Sequence, residues 1–365
     1  MMNFDWPHLY CFIFAGGLAA SLVFTPIFQF LAEKLDFMDR PNGEKHKAHG
    51  TATPLLGGAA MFTAWTLCIG VGFLMIHFRK LPHITGLLAD HAEGALSVAP
   101  RMGVLLFCAL LAMLLGLIDD RRPLKAHTKF LGQFVIAMIA VIWGGARLSV
   151  FCPIPAVGIA ATVFWYMLLM NAINFFDNMD GLAAGTITIA MTLFAVVAAF
   201  NGQIFVAVLA SLSAGVTAGF WFYNHSPATI FMGDSGSLFL GFLTATVSIL
   251  VTYFRLDRSL SRFPILLPLF ILAVPLFDTL MVVLIRTKNR KPFWIGDHNH
   301  ISHRFVKMGL SRKRAVDLVH LTALAIGLGA LPILWGSFQV AAAVVAQAFL
   351  LLMIVSILQF SLAEK

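Results

Sequence analysis

The stretch Met102–Asp120, MGVLLFCALLAMLLGLIDD, runs for seventeen residues without a charge and then ends on two adjacent carboxylates. Seventeen helical residues rise about 26 Å, close to the ~30 Å hydrocarbon core of a bilayer. The run has no polar face and no alternation, so neither a surface helix nor a barrel strand accounts for it. It reads as a membrane span whose end is marked by Asp119 and Asp120.

The same pattern recurs along the chain. Apolar runs lie at about 8–32, 55–78, 101–118, 130–146, 153–172, 182–200, 203–222, 237–254, 263–285, 317–336 and 338–361. They predict an all-α polytopic integral membrane protein with about 11 transmembrane helices, a single domain over 1–365. Composition agrees. Of 365 residues, 59% are hydrophobic and only 12% charged, with a mean hydropathy of +0.88. These values exclude a soluble domain, for which about 25% charge is usual, and a disordered chain. The net charge is +8. It fits loop anchoring first and a polyanionic ligand or anionic lipid second. No soluble basic domain exists to carry nucleic acid. Cys11, Cys68, Cys108 and Cys152 form no CxxC pair, so neither zinc nor a disulfide framework is indicated. The N-terminal MMNFDWPHLY lacks a basic region, and the first apolar run is expected to be a retained helix.

An odd number of spans places the termini on opposite sides. Loops 33–54, 119–129, 171–181, 223–236 and 286–316 then share one side with the C-terminus and carry 18 Lys/Arg, against 7 on the other side. The excess predicts that the first side is cytoplasmic, with the N-terminus outside and Lys365 inside.

Polar residues collect in those same five loops. Lys45, Lys47 and His49 lie in RPNGEKHKAHGTATPLLGG, and Asp119, Asp120, Lys125 and Lys129 in GLIDDRRPLKAHTKF. Asn171, Asn174, Asp177, Asp180 and Gly181 lie in NAINFFDNMDGLAAG, Asp234 in FMGDSGSLFLG, and His298, His300 and His303 in GDHNHISHRF. Two of these loops, 171–181 and 223–236, contain no Lys or Arg, so their acids have no local base to pair with. Paired carboxylates at helix ends either sit solvated or hold a hard cation such as Mg²⁺ (or Mn²⁺), which binds through one or two carboxylates plus substrate phosphates. Gly233 and Gly236 around Asp234 would let backbone N–H groups approach a phosphate, although Asp234 could equally cap a helix. Arg121, Arg122 and Lys125 read as positive-inside anchors, whereas Lys129 opens the next helix and can reach a phosphate. The histidines have no cysteine beside them, which favours phosphate hydrogen bonding over zinc. Asp278 stands inside an apolar run, either as a functional acid or as the partner of a neighbouring helix.

Across these segments, about residues 10–360, the chain resembles the polyprenyl-phosphate N-acetylhexosamine-1-phosphate transferase family, glycosyltransferase family 4. The resemblance is carried by RPN…KxH…P-x-x-GG near 40–58, the Asp pair with Lys129, NAxN…DxxDGL at 171–182, MGDSGSLFLG at 232–241 and H-I-x-H at 300–303. It implies transfer of a sugar-1-phosphate, N-acetylglucosamine-1-phosphate or a relative, from a UDP-N-acetylhexosamine to undecaprenyl phosphate. UMP would leave, and lipid-linked envelope polysaccharide synthesis would begin at a bacterial inner (plasma) membrane. The WecA/TagO branch is the nearer likeness; the phospho-MurNAc-pentapeptide translocase reaction is the alternative within the family, and a transporter with a polar vestibule the alternative outside it. The resemblance casts Asp234 and Asn174 as metal ligands, Lys129 as a phosphate contact, and Asp119 and Asp120 as groups that orient or deprotonate the lipid phosphate. Asp180 and Gly181 would meet uridine, and His300 and His303 the sugar pyrophosphate; Lys47, His49, Asn171 and Asp177 complete the expected substrate-binding set. Two departures touch the sugar site. The family's usual DGxDG reads Asp177-Asn178-Met179-Asp180-Gly181, and its HIHH reads His300-Ile301-Ser302-His303. The partners expected are these two substrates and the lipid bilayer, and the sequence leaves a homodimer open.

Overall fold

The structure, a computed structural model, describes residues 6–40, 52–78, 82–148, 154–254, 260–292, 294 and 299–361. It is helical almost throughout. The helices are α1 (Trp6–Lys34), α2 (Gly57–Phe78), α3 (Pro82–Arg121), α4 (Ala126–Ile142), α5 (Pro155–Phe176), α6 (Leu182–Phe200), α7 (Ile204–Asn224), α8 (Gly233–Leu250), α9 (Leu267–Ile271), α10 (Ala273–Lys288), α11 (Ile301–Lys307), α12 (Arg312–Ala330) and α13 (Phe338–Ser361). A two-residue antiparallel pair, Met38–Asp39 with Thr53–Pro54, closes the connection between α1 and α2.

Among the described residues nine helices are long and apolar enough to cross a membrane. The pair Phe263–Ile271 and Ala273–Lys288 makes a tenth when taken as one span, and Ala126–Ile142 is a shorter apolar helix of 17 residues. The chain is thus an all-α polytopic membrane protein.

Two expected boundaries change. The connection expected at 79–101 is helical from Pro82 onward, because α3 continues for 40 residues and only Glu93–Arg121 is its apolar span. The run 263–285 is not one straight helix but bends by 70° between α9 and α10. Pro264, Pro268 and Pro275 fall at the starts of successive helical pieces, where a residue without an N–H is tolerated and a continuous ladder is broken.

The core is arranged around α8, in which every residue from Ser235 to Ile249 is buried. It packs against α2, α3 and α5, while α7 packs against α1 and α6. Lipid-facing positions of the outer helices carry large apolar side chains, among them Phe12, Phe30, Phe107, Phe164 and Phe349. In water such a surface would be unfavourable; against acyl chains it is matched.

Candidate active site

The site is built on the N-terminus of the central helix. Two neighbours reach that point because they carry glycine where they touch it. A methyl group at Gly58 would collide with the Gly236 backbone nitrogen, and one at Gly116 with the Asp234 carbonyl. The Gly58 N–H donates to the Met232 carbonyl at 3.1 Å and the Phe231 N–H to the Pro54 carbonyl at 2.8 Å, so the P-x-x-GG segment is laced to the loop before α8.

Asp120, at the end of α3, accepts from the Asp234 N–H at 2.7 Å and the Ser235 N–H at 3.0 Å. It caps α8 from another helix and satisfies two of the donors that every helix N-terminus leaves open. Gly233 takes φ +65°, and a side chain there would meet the Asp120 carboxylate. This corrects the expectation that the glycine loop offers these N–H groups to a phosphate: they are already bonded to Asp120, and Gly236 serves the contact with α2.

Asp119, the preceding residue, points elsewhere. It accepts from the Leu124 N–H at 2.6 Å and from the Lys129 ammonium at 2.7 Å. Lys129 also bonds the Asp234 carboxylate and lies 3.4 Å from the Asn174 amide oxygen. Asn174 donates to Asp234 Oδ1 at 2.7 Å and to Ser237 Oγ at 2.9 Å. Oxygens from α3, α5 and α8 therefore converge on one cationic nitrogen from α4. Asn171, one turn away on α5, donates to Gln133 Oε1 at 2.6 Å instead of joining this cluster. The four-residue step Lys129–Gln133 faces the three-residue step Asn171–Asn174, giving two polar rungs between α4 and α5. Gln133 and Ser237 were not singled out from the sequence. The spacing of Gln133 from Lys129 was the available signal for the first, and the MGDSGS run for the second.

Asp177 ends α5 beside these acids. Burial, with the negative charges of Asp234, Asp120 and Asp180, pushes its carboxyl up to about 8. Such a field of like charges marks a place that favours a cation. Asp180 accepts from the Ala228 N–H at 3.1 Å, and Gly181, at φ +73°, donates its N–H to Asn224 Oδ1 at 3.1 Å. Together they tie the turn before α6 to the last residue of α7 and to the loop that follows it.

His300 and His303 lie at the start of α11, their ring centroids 6.3 Å apart. His303 is half-buried, but His300 is only 3% exposed, and its Nδ1 bonds Asp278 Oδ2 at 2.7 Å. Asp278 thus bonds a neighbouring element, the start of α11. The two departures from the family pattern meet each other: Ser302 Oγ donates to Asn178 Oδ1 at 2.5 Å, while Asn178 Nδ2 donates to the Phe175 and Phe176 carbonyls. Lys47 and His49 fall outside the described residues.

Among the described residues no three His, Cys, Asp or Glu side chains form a metal cage by themselves. Asp119, Asp234 and Asn174 carry hard oxygens, the donor type a divalent ion takes alongside substrate phosphates, and in this structure those oxygens are bonded to the Lys129 ammonium.

The sequence agrees with this architecture when set beside known proteins. Residues 102–252 match the model of glycosyl transferase family 4. The chain is 33% identical over 326 residues to a probable undecaprenyl-phosphate N-acetylglucosaminyl 1-phosphate transferase of Bacillus subtilis, covering 87% of this chain and 83% of that protein. It is 30% identical over 341 residues to a decaprenyl-phosphate N-acetylglucosaminephosphotransferase of Mycobacterium tuberculosis, covering 86% and 80%. A phospho-N-acetylmuramoyl-pentapeptide-transferase of Levilactobacillus brevis is 31% identical over 270 residues, covering 69% and 76%. With an acid cluster at the end of a membrane helix bundle and relatives matched over most of their length, the chain belongs to glycosyl transferase family 4 and is a membrane-embedded phosphotransferase.

Proposed function

We propose that this enzyme transfers N-acetylglucosamine-1-phosphate, or a related N-acetylhexosamine-1-phosphate, from a UDP-sugar to undecaprenyl phosphate and releases UMP. The observation that carries the reading is the convergence of Asp119, Asp234 and Asn174 on Lys129 at one end of the bundle. The names of the B. subtilis and M. tuberculosis relatives support the substrates.

The acceptor needs little activation. A phosphate monoester has its second pKa near 6, so the lipid phosphate is largely dianionic at neutral pH. One of its oxygens attacks the β-phosphorus of the UDP-sugar. The bond from that phosphorus to the oxygen bridging the two phosphates breaks, and UMP leaves with the electron pair. The sugar C1–O bond stays intact, so the anomeric configuration is retained. The barrier is the approach of two polyanions, and it falls through positioning and charge compensation. Lys129 supplies a fixed positive charge between the carboxylates of Asp119 and Asp234. Asp120 holds the N-terminus of α8, which sets the position of Asp234. Asn174 orients the Asp234 carboxylate, and Ser237 in turn accepts from Asn174. The turn at Asp177–Gly181 lies ready for the nucleotide, and the His300–His303 segment for the sugar pyrophosphate. Mg²⁺ (or Mn²⁺), held by Asp234 and Asn174 with Asp119 beside them, would neutralise phosphate charge and draw electron density from phosphorus.

The acid-bearing end faces the cytoplasm of a bacterial inner (plasma) membrane in this reading, supported by the 18-to-7 division of Lys/Arg. The test is incubation of the purified enzyme with undecaprenyl phosphate, Mg²⁺ and a panel of UDP-sugars that includes UDP-MurNAc-pentapeptide. UMP release with UDP-N-acetylhexosamines is expected, abolished by EDTA and by Asp234→Asn. Release only with the pentapeptide donor would assign the translocase reaction, and release with no donor would refute the proposal.

A further inference from the structure

Asp278 is a buried carboxylate that the proposed chemistry does not use. It lies on α10, after the 70° bend, and is 1% exposed. A carboxylate so enclosed is costly unless its oxygens are bonded. Both are. Oδ2 meets His300 Nδ1 at 2.7 Å, and Oδ1 accepts from the Ile301 N–H at 2.6 Å. His300 is the N-cap of α11 and contributes no side-chain cap of its own, so Asp278 caps that helix from α10. A second tie holds α11, where Ser302 bonds Asn178 just past the end of α5. Arg286, two turns beyond Asp278, lies over the Phe175 ring at that same end of α5. Helix α10 therefore runs alongside the acid-bearing end, and α11 is held between them.

We propose that Asp278 is a positioning residue that acts through His300; the inference rests on the reading of the His300–His303 segment as a donor-binding element. A carboxylate accepts only, so the imidazole donates from Nδ1. The ring is then oriented with Nε2 as its remaining polar atom. Nε2 is the ring atom left to meet a phosphate oxygen, and the Asp278 bond fixes where it points. The Ile301 bond holds the first turn of α11, and with it the placement of His303 one residue beyond Ser302.

The test combines a double-mutant cycle with a spectroscopic readout. Asp278→Asn is expected to lower kcat/KM for the UDP-sugar by about 10- to 100-fold, the range for losing the group that orients a functional histidine, with KM for the lipid acceptor unchanged. Because Asp278 acts through His300, the double variant with His300→Ala should be no worse than His300→Ala alone. Nitrogen-15 spectra of histidine-labelled wild type, with His300 assigned by its own substitution, should show a protonated Nδ1 that Asp278→Asn changes. If Asp278→Asn does not fold, Asp278→Glu, which keeps charge and acceptor but shifts them by one methylene, carries the same comparison. Losses that multiply, unchanged donor kinetics in a variant whose Nδ1 signal has moved, or a wild-type ring with a bare Nδ1 would each overturn the inference. A wild type that releases no UMP from any UDP-sugar would refute the functional reading instead, while the Nδ1 signal would still report on the Asp278–His300 bond.

Discussion

Replacing Lys129 by methionine removes one positive charge while keeping most of the apolar stem that α4 carries at this position. In the wild type the ammonium is 2.7 Å from Asp119 and in contact with Asp234, and the three side chains are 16%, 10% and 33% exposed. Without it the Asp119 and Asp234 carboxylates, which lie within hydrogen-bond reach of each other, lose the charge that compensates them. At ~5 Å and an effective dielectric of ~20 their repulsion is about 3 kcal/mol, the same order as the cost of breaking a buried ion pair. At about 2 °C per kcal/mol for a large domain, the metal-free variant should melt roughly 6 °C below the wild type in detergent. A divalent cation supplies the missing charge, so saturating Mg²⁺ should raise the variant's midpoint more than the wild type's. UMP release should stay low, because the fixed phosphate contact is gone. Thermal unfolding followed by tryptophan fluorescence, with and without Mg²⁺, reads both effects. A metal-free Lys129→Met as stable as the wild type, or equal gains from Mg²⁺ in both proteins, would refute the placement of a cation site between Asp119 and Asp234.

Asp177 gives the metal-free enzyme a pH-dependent stability. Its carboxyl rises from 3.8 to about 8 on folding, so the folded state binds the extra proton and stability falls as pH rises from about 4 to about 8. Asp177→Asn should flatten that fall, measured as thermal midpoints at pH 5 and pH 8.5. Gly58→Ala should reduce folded yield sharply, since its methyl collides with backbone at Gly236 that no side-chain motion can clear; size-exclusion recovery in detergent measures it. In a cysteine-free background, cysteine at Lys313 should resist an impermeant thiol reagent in intact cells and cysteine at Ser337 should react, and the reverse pattern would reject the orientation. Labelled UMP should not exchange into UDP-sugar until undecaprenyl phosphate is added, because the ionised acceptor is already a competent nucleophile; robust lipid-independent exchange, lost on substituting Asp119, Asp120 or Asp234, would refute the one-step mechanism.

Much of this protein was legible in the chain itself. Seventeen uncharged residues ending in Asp119–Asp120 can be satisfied only as a helix in lipid, and the apolar runs that repeat the pattern fix the class without reference to any contact. Motif order likewise singled out Lys129, Asn174 and Asp234, which the fold brings into one bonded cluster. Roles within the cluster were not legible. Adjacent Asp119 and Asp120 look equivalent in sequence, yet one bonds Lys129 and the other caps α8, because successive side chains on a helix point in directions about 100° apart. The glycines of MGDSGS suggested a phosphate cradle, but their partners are Asp120 and Gly58, on helices far away in sequence. Asn178 and Ser302, separated by 124 residues, meet at 2.5 Å, and Asp278 meets His300 across 22. Span length and periodicity are local consequences of the solvent each residue prefers. Which oxygen meets which nitrogen depends on how close two helices come and where each bends, and only the packed bundle decides that.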